Sequence, residues 1–502
     1  MSVSAPRTGR SSLRRAVFAL LAAAVALAAL LSIADRLSDN PPPRLTPGTG
    51  VAAGESDDTV DPLAWSSQRE DALVATAARG FAHPLYTLVP GGVVASAART
   101  ARYRQLIEPI AEAGDVDPDD LEAIVYLESA GRPAAAADAS LEGAVGLTQI
   151  VAQTGSGLLD MRVDPRAARS LGRRIRRAAK RGQTAQVRAL EAERRTVDER
   201  YDPPKALQGT VRYLRYAKRQ LGREDLALAS YHAGIGNLQS ALKAYGKGDD
   251  VSYAQLYFDT TPVHNAAAYR KLAALGDDSA TYLWRLGAAK EIMRLYREDR
   301  AKLRRIALRQ QAKNSSEEVL WPAGSTKRFQ SAAQLRAAYA DRTLRRLPGP
   351  LLREEGVQID PQMGELAPRR KLSRRLFRGL QPEALAVLVT LGAGTQEISR
   401  SSKPISVTST VRDQPYQDLL TGVNVQATKD YSLHTTGYAF DILRRFASSK
   451  QEAAFWFTVT RLQALGYLAW LPEFGAVHIT AGPRAKELLG VLKSETKRVS
   501  SG

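Results

Sequence analysis

Apolar residues recur at three- and four-residue intervals from about Ser67 to about Leu303, which indicates a run of α-helices that each bury one face. Alanine-rich segments dominate this stretch, and clusters of β-branched residues are scarce. The clearest helix begins at Asp117-Pro118, an N-cap followed by proline at the first helical position, and continues through residues 121–127. We therefore expect a mainly α-helical domain over residues 67–303.

The pattern changes in the last third of the chain. Residues 304–371 are strongly basic, carry a helical signal around 332–345 and are interrupted by proline and glycine, so we expect a connector with some local order there. Residues 381–391 again indicate a helix, whereas the β-branched alternation of 404–411 and the short apolar run at 476–479 indicate strands. The sequence therefore predicts a second folded domain, of α+β class, over residues 372–490.

The N-terminus has a third pattern. A basic leader at 1–13 precedes an anchor segment at 14–34, whose apolar run of about 19 residues is just long enough to cross a bilayer. Arginines on its N-terminal side predict that this end stays in the cytoplasm. A cleaved signal peptide ending at Ser32-Ile33-Ala34 is the alternative. In both interpretations the rest of the chain is exported. It begins with a Pro/Gly-rich linker at 35–66 and ends with a tail at 491–502.

Composition adds an electrostatic constraint. The 502 residues allow about three domains, and the absence of cysteine excludes a disulfide framework and a thiolate zinc site. The formal net charge of +19 favours an anionic partner, such as nucleic acid, acidic phospholipid or an anionic cell-wall polymer. Export argues against nucleic acid. The arginine-rich stretch 166–200 is either a solvated helix with paired charges or a dock for wall-polymer or lipid phosphate.

Glu128 is the first candidate for chemistry. It lies near the C-terminal end of a mostly buried helix, where desolvation and the helix dipole both disfavour a carboxylate, so we expect its pKa to rise. A carboxyl group that stays protonated near neutral pH can act as a general acid. Glycosidases generally need two carboxylates, and Asp138 and Glu142 belong to a loop without a comparable setting. A helix-terminal surface carboxylate is the structural alternative.

Three short motifs, in this order along the chain, resemble those of the soluble lytic transglycosylase (SLT) domain, which has a lysozyme-like fold. They are Glu128-Ser129, Gly143-Ala144-Val145-Gly146-Leu147-Thr148-Gln149-Ile150 and Ser230-Tyr231-His232-Ala233-Gly234. That family usually has methionine at the position of Thr148 and asparagine at the position of His232. The resemblance implies that Glu128 is the catalytic acid. It also implies that the substrate is contacted or oriented by Ser129, Gln149 and Tyr231.

The same resemblance implies a reaction that needs one carboxylate and no cofactor. In lytic transglycosylases the muramyl C6 hydroxyl attacks C1 and closes a 1,6-anhydro ring, so the substrate supplies its own nucleophile. The expected substrate is peptidoglycan, and the expected enzyme is a peptidoglycan lytic transglycosylase. A lysozyme-like hydrolase is the alternative on the same fold.

The C-terminal region carries a second resemblance. Histidine is rare, with five in the whole chain. One of these, His434, lies in the run SLHTTGYAFD at 432–441, and another is His478. These segments resemble the motifs of the M15 family of zinc peptidases, which includes D-alanyl-D-alanine carboxypeptidases. The resemblance implies Zn²⁺ bound by His434, Asp441 and His478, with a position left open for water. It also implies that Arg412 binds the substrate.

Glu473 marks a departure from that family. The family usually keeps a carboxylate a few residues before the last histidine as general base, and the nearest one here is Glu473, five positions before His478. The domain is therefore either a peptidase with Glu473 as its base or a wall-binding domain that cleaves nothing. A pair of satisfied core histidines is the structural alternative.

These features together predict a multidomain cell-wall enzyme with a single-pass membrane anchor. A mainly α lysozyme-like domain and an α+β M15-like domain would lie on the extracytoplasmic side. The expected partners are peptidoglycan, the membrane through one N-terminal helix, and anionic wall polymers or lipid head groups, with no nucleic acid. The rival hypotheses are a non-catalytic wall-binding scaffold and a cytoplasmic nucleic-acid-binding protein.

Overall fold

The computed structural model describes residues 65–490, except residues 249, 261–263, 276–277, 311–317, 423–430 and 474. The predicted leader, the anchor, all but the last two residues of the linker, and the whole tail lie outside the described residues. Among the residues that are described, no helix is both long and apolar enough to cross a membrane.

Residues 67–310 are here called the helical region. Where the structure describes them, they form mainly α-helices with one short hairpin, as the apolar periodicity predicts. The hairpin pairs strand β1 (Ala144–Val145) with strand β2 (Ile150–Val151) in antiparallel fashion. The helices are α1 (Glu70–Gly80), α2 (His83–Thr87), α3 (Val93–Ala101), α4 (Arg104–Glu112), α5 (Pro118–Ser129), α6 (Ala152–Gly157), α7 (Pro165–Lys180), α8 (Thr184–Val197), α9 (Pro203–Leu221), α10 (Glu224–Ala233), α11 (Ile235–Tyr245), α12 (Tyr253–Phe258), α13 (Ala266–Ala273), α14 (Tyr282–Glu298) and α15 (Arg300–Gln310).

Helix α5 forms where the capping signals place it. The Asp117 side chain accepts a hydrogen bond from the Asp119 backbone N–H, and Pro118 occupies the first helical position. The helix ends where Ala130 adopts a left-handed conformation, with φ of 52°. Most of the helix is buried, and its last turn presents Glu128 at the edge of the buried part. The predicted helix is therefore confirmed.

Residues 332–490, here called the sheet region, combine helices with a five-stranded sheet. The sheet order is β4 (Val357–Ile359), β6 (Ile405–Ser409), β7 (Ala439–Leu443), β9 (Ala476–Ala481) and β8 (Leu468–Pro472). Strand β4 is parallel to β6, and the other neighbours are antiparallel. The region also contains strands β3 (Arg345–Arg346) and β5 (Gly379–Leu380). The helices are α16 (Ala332–Ala340), α17 (Gly349–Glu354), α18 (Pro382–Ser399), α19 (Gln414–Thr421) and α20 (Ser449–Ala464).

The predicted connector at 304–371 needs correction. Strand β4 lies inside it, yet it pairs with β6 in the central sheet, so the folded unit begins before the predicted boundary at 372. Strand β3 also lies inside it and pairs with β5. Strands of two or three residues are too short to show alternation, and their partners lie far along the chain, so no local pattern marks them.

The two regions share one hydrophobic core instead of being joined only by a connector. Buried residues of α1, α10 and α12 belong to the same cluster as those of α18, α20 and β9. Arg461 of α20 is buried and donates hydrogen bonds to the backbone carbonyls of Tyr257, Phe258 and Thr260. A Cβ atom at Gly80 would lie 2.6 Å from the Gln463 carbonyl oxygen, so the two backbones are in direct contact. The two regions therefore form one packed unit.

Candidate functional site

The side chain of Glu128 is held by Tyr282, which lies outside the three predicted motifs. The Tyr282 hydroxyl, at the start of α14, donates a hydrogen bond to Glu128 Oε1 at 2.8 Å. Tyr282 is only 1% exposed, so the phenol can take few other orientations. Glu128 itself is half-buried. One of its oxygens is thus fixed by a neutral donor at the end of α5.

The environment of Glu128 favours the protonated acid. Burial raises its pKa to about 7, and the nearby charge of Asp278 acts in the same direction. The Tyr282 hydrogen bond and the Arg285 charge oppose this but do not overcome it. A carboxyl group that titrates near neutral pH can both give and accept a proton in one cycle.

An aromatic wall stands beside this acid. The Tyr231 ring stacks on Tyr282 with centroids 6.3 Å apart, and the His232 ring stacks on the same tyrosine at 5.4 Å. The Tyr231 hydroxyl donates to the Thr148 carbonyl oxygen at 2.7 Å, and burial raises its pKa above the usual value. The predicted second and third motifs therefore meet at Glu128, with Tyr231 as the contact between them.

The loop of the second motif is folded tightly around its glycines. Gly146 has φ of +85°, and a Cβ atom there would lie 1.9 Å from the Arg200 carbonyl oxygen, so only glycine fits. Gln149 also has a positive φ, of 54°, which is uncommon for a side chain of its size. Its side-chain amide donates to the Gly146 carbonyl oxygen at 2.8 Å. Gln149 is half-buried, and its predicted contact with substrate stays a prediction.

Ser129 joins the helix end to this loop. It is 2% exposed, and its hydroxyl lies 2.7 Å from the Leu147 carbonyl oxygen, to which it donates. The Arg132 backbone N–H donates to the same hydroxyl at 3.2 Å. In this arrangement Ser129 positions the loop against Glu128. Its predicted contact with substrate stays a prediction.

Arg200 is a positioning residue that the sequence analysis missed. It is fully buried and forms an ion pair with Asp198 at 2.8 Å. Its guanidinium also donates to three backbone carbonyls of the loop, those of Leu141, Gly143 and Ile150. The arginine-rich stretch 166–200 predicts either a solvated helix or a phosphate dock, and neither includes a buried Arg200, because an arginine among arginines carries no signal of burial. The one available signal was the nearby Asp198.

The comparison with protein families bears on this part of the chain. Residues 181–253 match the transglycosylase SLT domain. The match includes Arg200 and Tyr231, begins after Glu128, and ends before Tyr282. It supports lytic transglycosylase activity on peptidoglycan in general. No curated protein matched the chain.

A second cluster of candidate residues lies in the sheet region. His434 is in the turn Leu433–Thr436, Asp441 is on β7, and His478 faces Asp441 across the β7–β9 ladder. All three are buried, and one ligand atom of each lies within 4.8 Å of the others. The three predicted metal ligands, 44 positions apart at the extremes, are thus brought together.

Hydrogen bonds orient these side chains toward one another. His434 Nδ1 lies 2.8 Å from the Thr410 carbonyl oxygen, an acceptor only, so Nδ1 carries the proton and Nε2 keeps its lone pair. That Nε2 lies 3.2 Å from Asp441 Oδ2. His478 Nδ1 lies 2.7 Å from Asp441 Oδ1. Burial, followed by the Arg412 charge, lowers the pKa of His434 to about 4, so the imidazole is neutral near pH 7.

The carboxylate of Asp441 is strongly stabilised as an anion. Burial alone would raise its pKa, but His434 and His478 hold that pKa well below its ordinary value. These effects act only while an imidazole offers a proton to the carboxylate. When His434 is neutral with its proton on Nδ1, its Nε2 lone pair and Asp441 Oδ2 face each other without a proton between them. Such a pair of acceptors suits a cation, and two nitrogens with one oxygen are a ligand set that Zn²⁺ accepts. The residues present therefore fit the expected zinc ion.

Arg412 and Glu473 border this cluster. The Arg412 guanidinium donates to Ser409 Oγ at 2.6 Å, to Gln417 Oε1 at 2.9 Å and to Asp441 Oδ2 at 3.3 Å. Glu473 is half-buried in the turn between β8 and β9. Burial raises its pKa, and the charges of Asp441, His478 and Arg412 also act on it. Glu473 is thus within electrostatic reach of the cluster, and its role as a base stays a prediction.

Proposed function

We propose that the helical region cleaves the bond between N-acetylmuramic acid and N-acetylglucosamine in peptidoglycan without using water. Glu128 donates its proton to the glycosidic oxygen as the bond from that oxygen to C1 breaks. The muramyl C6 hydroxyl attacks C1, forms the 1,6-anhydro ring and gives its proton to the Glu128 carboxylate. The acid is thereby restored. The observation that carries the proposal is the meeting of the second and third motifs beside Glu128, whose carboxyl group is held by Tyr282 in a setting where burial raises its pKa to about 7.

The neighbours of Glu128 serve this reaction by positioning. Tyr282 fixes one carboxyl oxygen and leaves the other for the glycosidic oxygen. Tyr231 and Ser129 each hold a backbone carbonyl of the loop, those of Thr148 and Leu147. Arg200 stabilises the same loop by donating hydrogen bonds to its backbone carbonyl oxygens. The glycan strand would then run past the second oxygen of Glu128, alongside the loop.

A lysozyme-like hydrolase would need a second carboxylate near Glu128, and Asp278 is the candidate. Its charge raises the pKa of Glu128, so the two groups interact. Asp278 is, however, paired with Arg285 at 2.5 Å. The Arg285 guanidinium thus occupies an Asp278 oxygen that a second carboxylate would need for attack on C1 or for activation of a water. The single-acid mechanism therefore accounts better for the site.

Product analysis separates the two mechanisms. Purified peptidoglycan is digested with the full chain, and the fragments are examined by mass spectrometry. The proposal predicts 1,6-anhydromuramyl ends, which are lighter than reducing ends by one water. Reducing ends in place of anhydro ends would identify a hydrolase and would make Asp278 the candidate second carboxylate.

We further propose that the sheet region acts on or binds the peptide stem through a zinc site. His434, Asp441 and His478 would hold the ion, which supplies an activated water when bound. Arg412 would bind an anionic group of the peptide stem, and Glu473 would accept a proton. The contact between a neutral imidazole and a carboxylate supports this assignment. A zinc-containing domain that binds the wall without cleaving it is the alternative.

We also propose that the domains are exported and anchored in the membrane. The apolar run at 16–34, with arginines before it, motivates this topology. A reporter fused after Asp61 should be active only outside the cytoplasm. A soluble cytoplasmic pool of the full-length protein would contradict both the topology and the assignment to the wall.

A further inference from the structure

Helices α7 and α8 form a basic unit that packs largely on itself, here called the basic hairpin (residues 165–197). Its small apolar core is formed by Leu171, Ala178 and Leu190. The hairpin carries eleven arginine and lysine residues against two glutamates. A large part of the +19 net charge of the chain is thus concentrated in one pair of helices.

The charges of α7 form a stripe. Successive residues advance by about 100° around an α-helix, so four basic residues fall within roughly 40° of one line that is about 21 Å long. All four are exposed. They are Arg166, Arg173, Arg177 and Lys180. The opposite face of the helix carries Leu171 and Ala178, which are buried against α8.

Among the residues that the structure describes, none neutralises this stripe. Within the described ranges, no carboxylate lies at ion-pair distance from Arg166, Arg173 or Arg177. The hairpin has one exposed ion pair, in which Arg174 lies 3.4 Å from Glu193. Like charges four residues apart on a helix repel each other, so an external polyanion would relieve the repulsion.

The hairpin is connected directly to the loop beside Glu128. Arg169 of α7 donates to the Ser140 carbonyl oxygen at 2.6 Å. At the base of α8, Arg162 donates to the Thr196 carbonyl oxygen at 2.8 Å. Asp198 follows two positions later and pairs with Arg200, whose guanidinium donates to carbonyl oxygens of the loop. The basic hairpin therefore packs against the loop that adjoins Glu128.

We propose that the basic hairpin binds a linear phosphodiester polymer carried by the glycan strand that Glu128 cleaves. Arginine binds phosphate through its planar fork of donors, and a single phosphate would occupy only one or two of these side chains. A row of about 21 Å instead matches a chain with repeated phosphates. The identity of the glycan rests on the function proposed above, because the polymer reaches the hairpin as a substituent of the strand in the adjoining groove.

The test measures binding of poly(glycerol phosphate), free of glycan, to the full chain in a neutral detergent. The hairpin variant R166Q/R173Q/R177Q/K180Q is compared with a matched control, K302Q/R304Q/R305Q/R309Q, which removes four exposed basic residues from α15. At low salt the hairpin variant should bind about tenfold more weakly, and the control should change less than about twofold. Wild-type binding should weaken steeply as salt is added.

Equal losses in the two variants would overturn the proposal, since binding would then reflect net charge alone. Hairpin-dependent binding to phosphatidylglycerol vesicles that exceeds binding to the polymer would also overturn it, in favour of a membrane. If circular dichroism shows that the hairpin variant is unfolded, R173Q/R177Q replaces it, with about half the logarithmic loss expected. Anhydro-product formation from unsubstituted peptidoglycan is measured separately, so failure of the proposed function can be told from failure of polymer binding.

Discussion

Glu128 and Asp441 are both carboxylates held among hydrogen-bonding side chains, yet their environments act in opposite directions. Around Glu128 the nearest partner is the neutral phenol of Tyr282, and burial raises the pKa to about 7. Around Asp441, two imidazoles hold the pKa well below its ordinary value, although burial opposes them. Arg412 adds a further donor.

The difference shows that burial alone does not decide what a carboxylate can do. Glu128 has one neutral donor on one oxygen, so it can carry a proton at neutral pH and release it during a reaction. Asp441 stays ionised and acts as an acceptor, which suits a metal ligand and does not suit an acid. The two sites can therefore be tested with substitutions that remove charge but keep shape.

Glu128→Gln should have the largest effect. The amide cannot protonate the glycosidic oxygen, so formation of anhydro ends should fall by about a thousandfold, while circular dichroism stays unchanged. Product release from peptidoglycan is measured by chromatography. D441N is the matched control, since it removes a carboxylate from the other site. Undiminished anhydro product from E128Q would exclude Glu128 as the catalyst.

Removal of a ligand from the second site should release the metal. Wild-type protein purified without chelator should hold about one zinc ion per chain, and His478→Ala should lower zinc affinity by about a hundredfold or more. Glu473→Ala should keep the zinc but stop any cleavage of the peptide stem. Metal content is measured by mass spectrometry. Less than about half an equivalent in the wild type, unrestored by added zinc, would leave a pair of core histidines as the better interpretation.

Glu128→Gln should also stabilise the fold at high pH. The pKa of Glu128 is raised from 4.5 to about 7 in the folded protein. The free energy of unfolding of the wild type therefore falls as pH rises through this window, and ionisation has no effect on it below the window. The half-buried position reduces the cost, so we expect a gain of about 2 kcal/mol at pH 8 and none at pH 4. Denaturant titrations at the two pH values measure it. An equal gain at both would show that ionisation is not the cause.

Tyr282→Phe should shift the pH dependence in a defined direction. The Tyr282 hydrogen bond lowers the pKa of Glu128, so its loss should move the basic limb of the pH–rate profile to higher pH, by about one unit. Activity near pH 6 should fall by about tenfold or less, since the acid itself remains. A basic limb that stays in place, or moves to lower pH, would contradict the role given to this hydrogen bond.

The sequence by itself determined the features that depend on short spacing. The N-cap at Asp117, the helix that follows it and the place of Glu128 at its end were all predicted, because capping and periodicity are local. The set of His434, Asp441 and His478 was also predicted, and the ladder between β7 and β9 does bring its members together.

Only the tertiary structure decided the partners that come from distant segments. Tyr282 reaches Glu128 across 154 positions, and Arg200 leaves a basic run to become fully buried behind the loop. Strand β4 pairs with β6, which lies far along the chain. Arg461 of the sheet region donates a hydrogen bond to a backbone carbonyl oxygen of the helical region. Contacts of this kind gain their energy only when the whole chain has folded, so a local pattern of residues does not mark them.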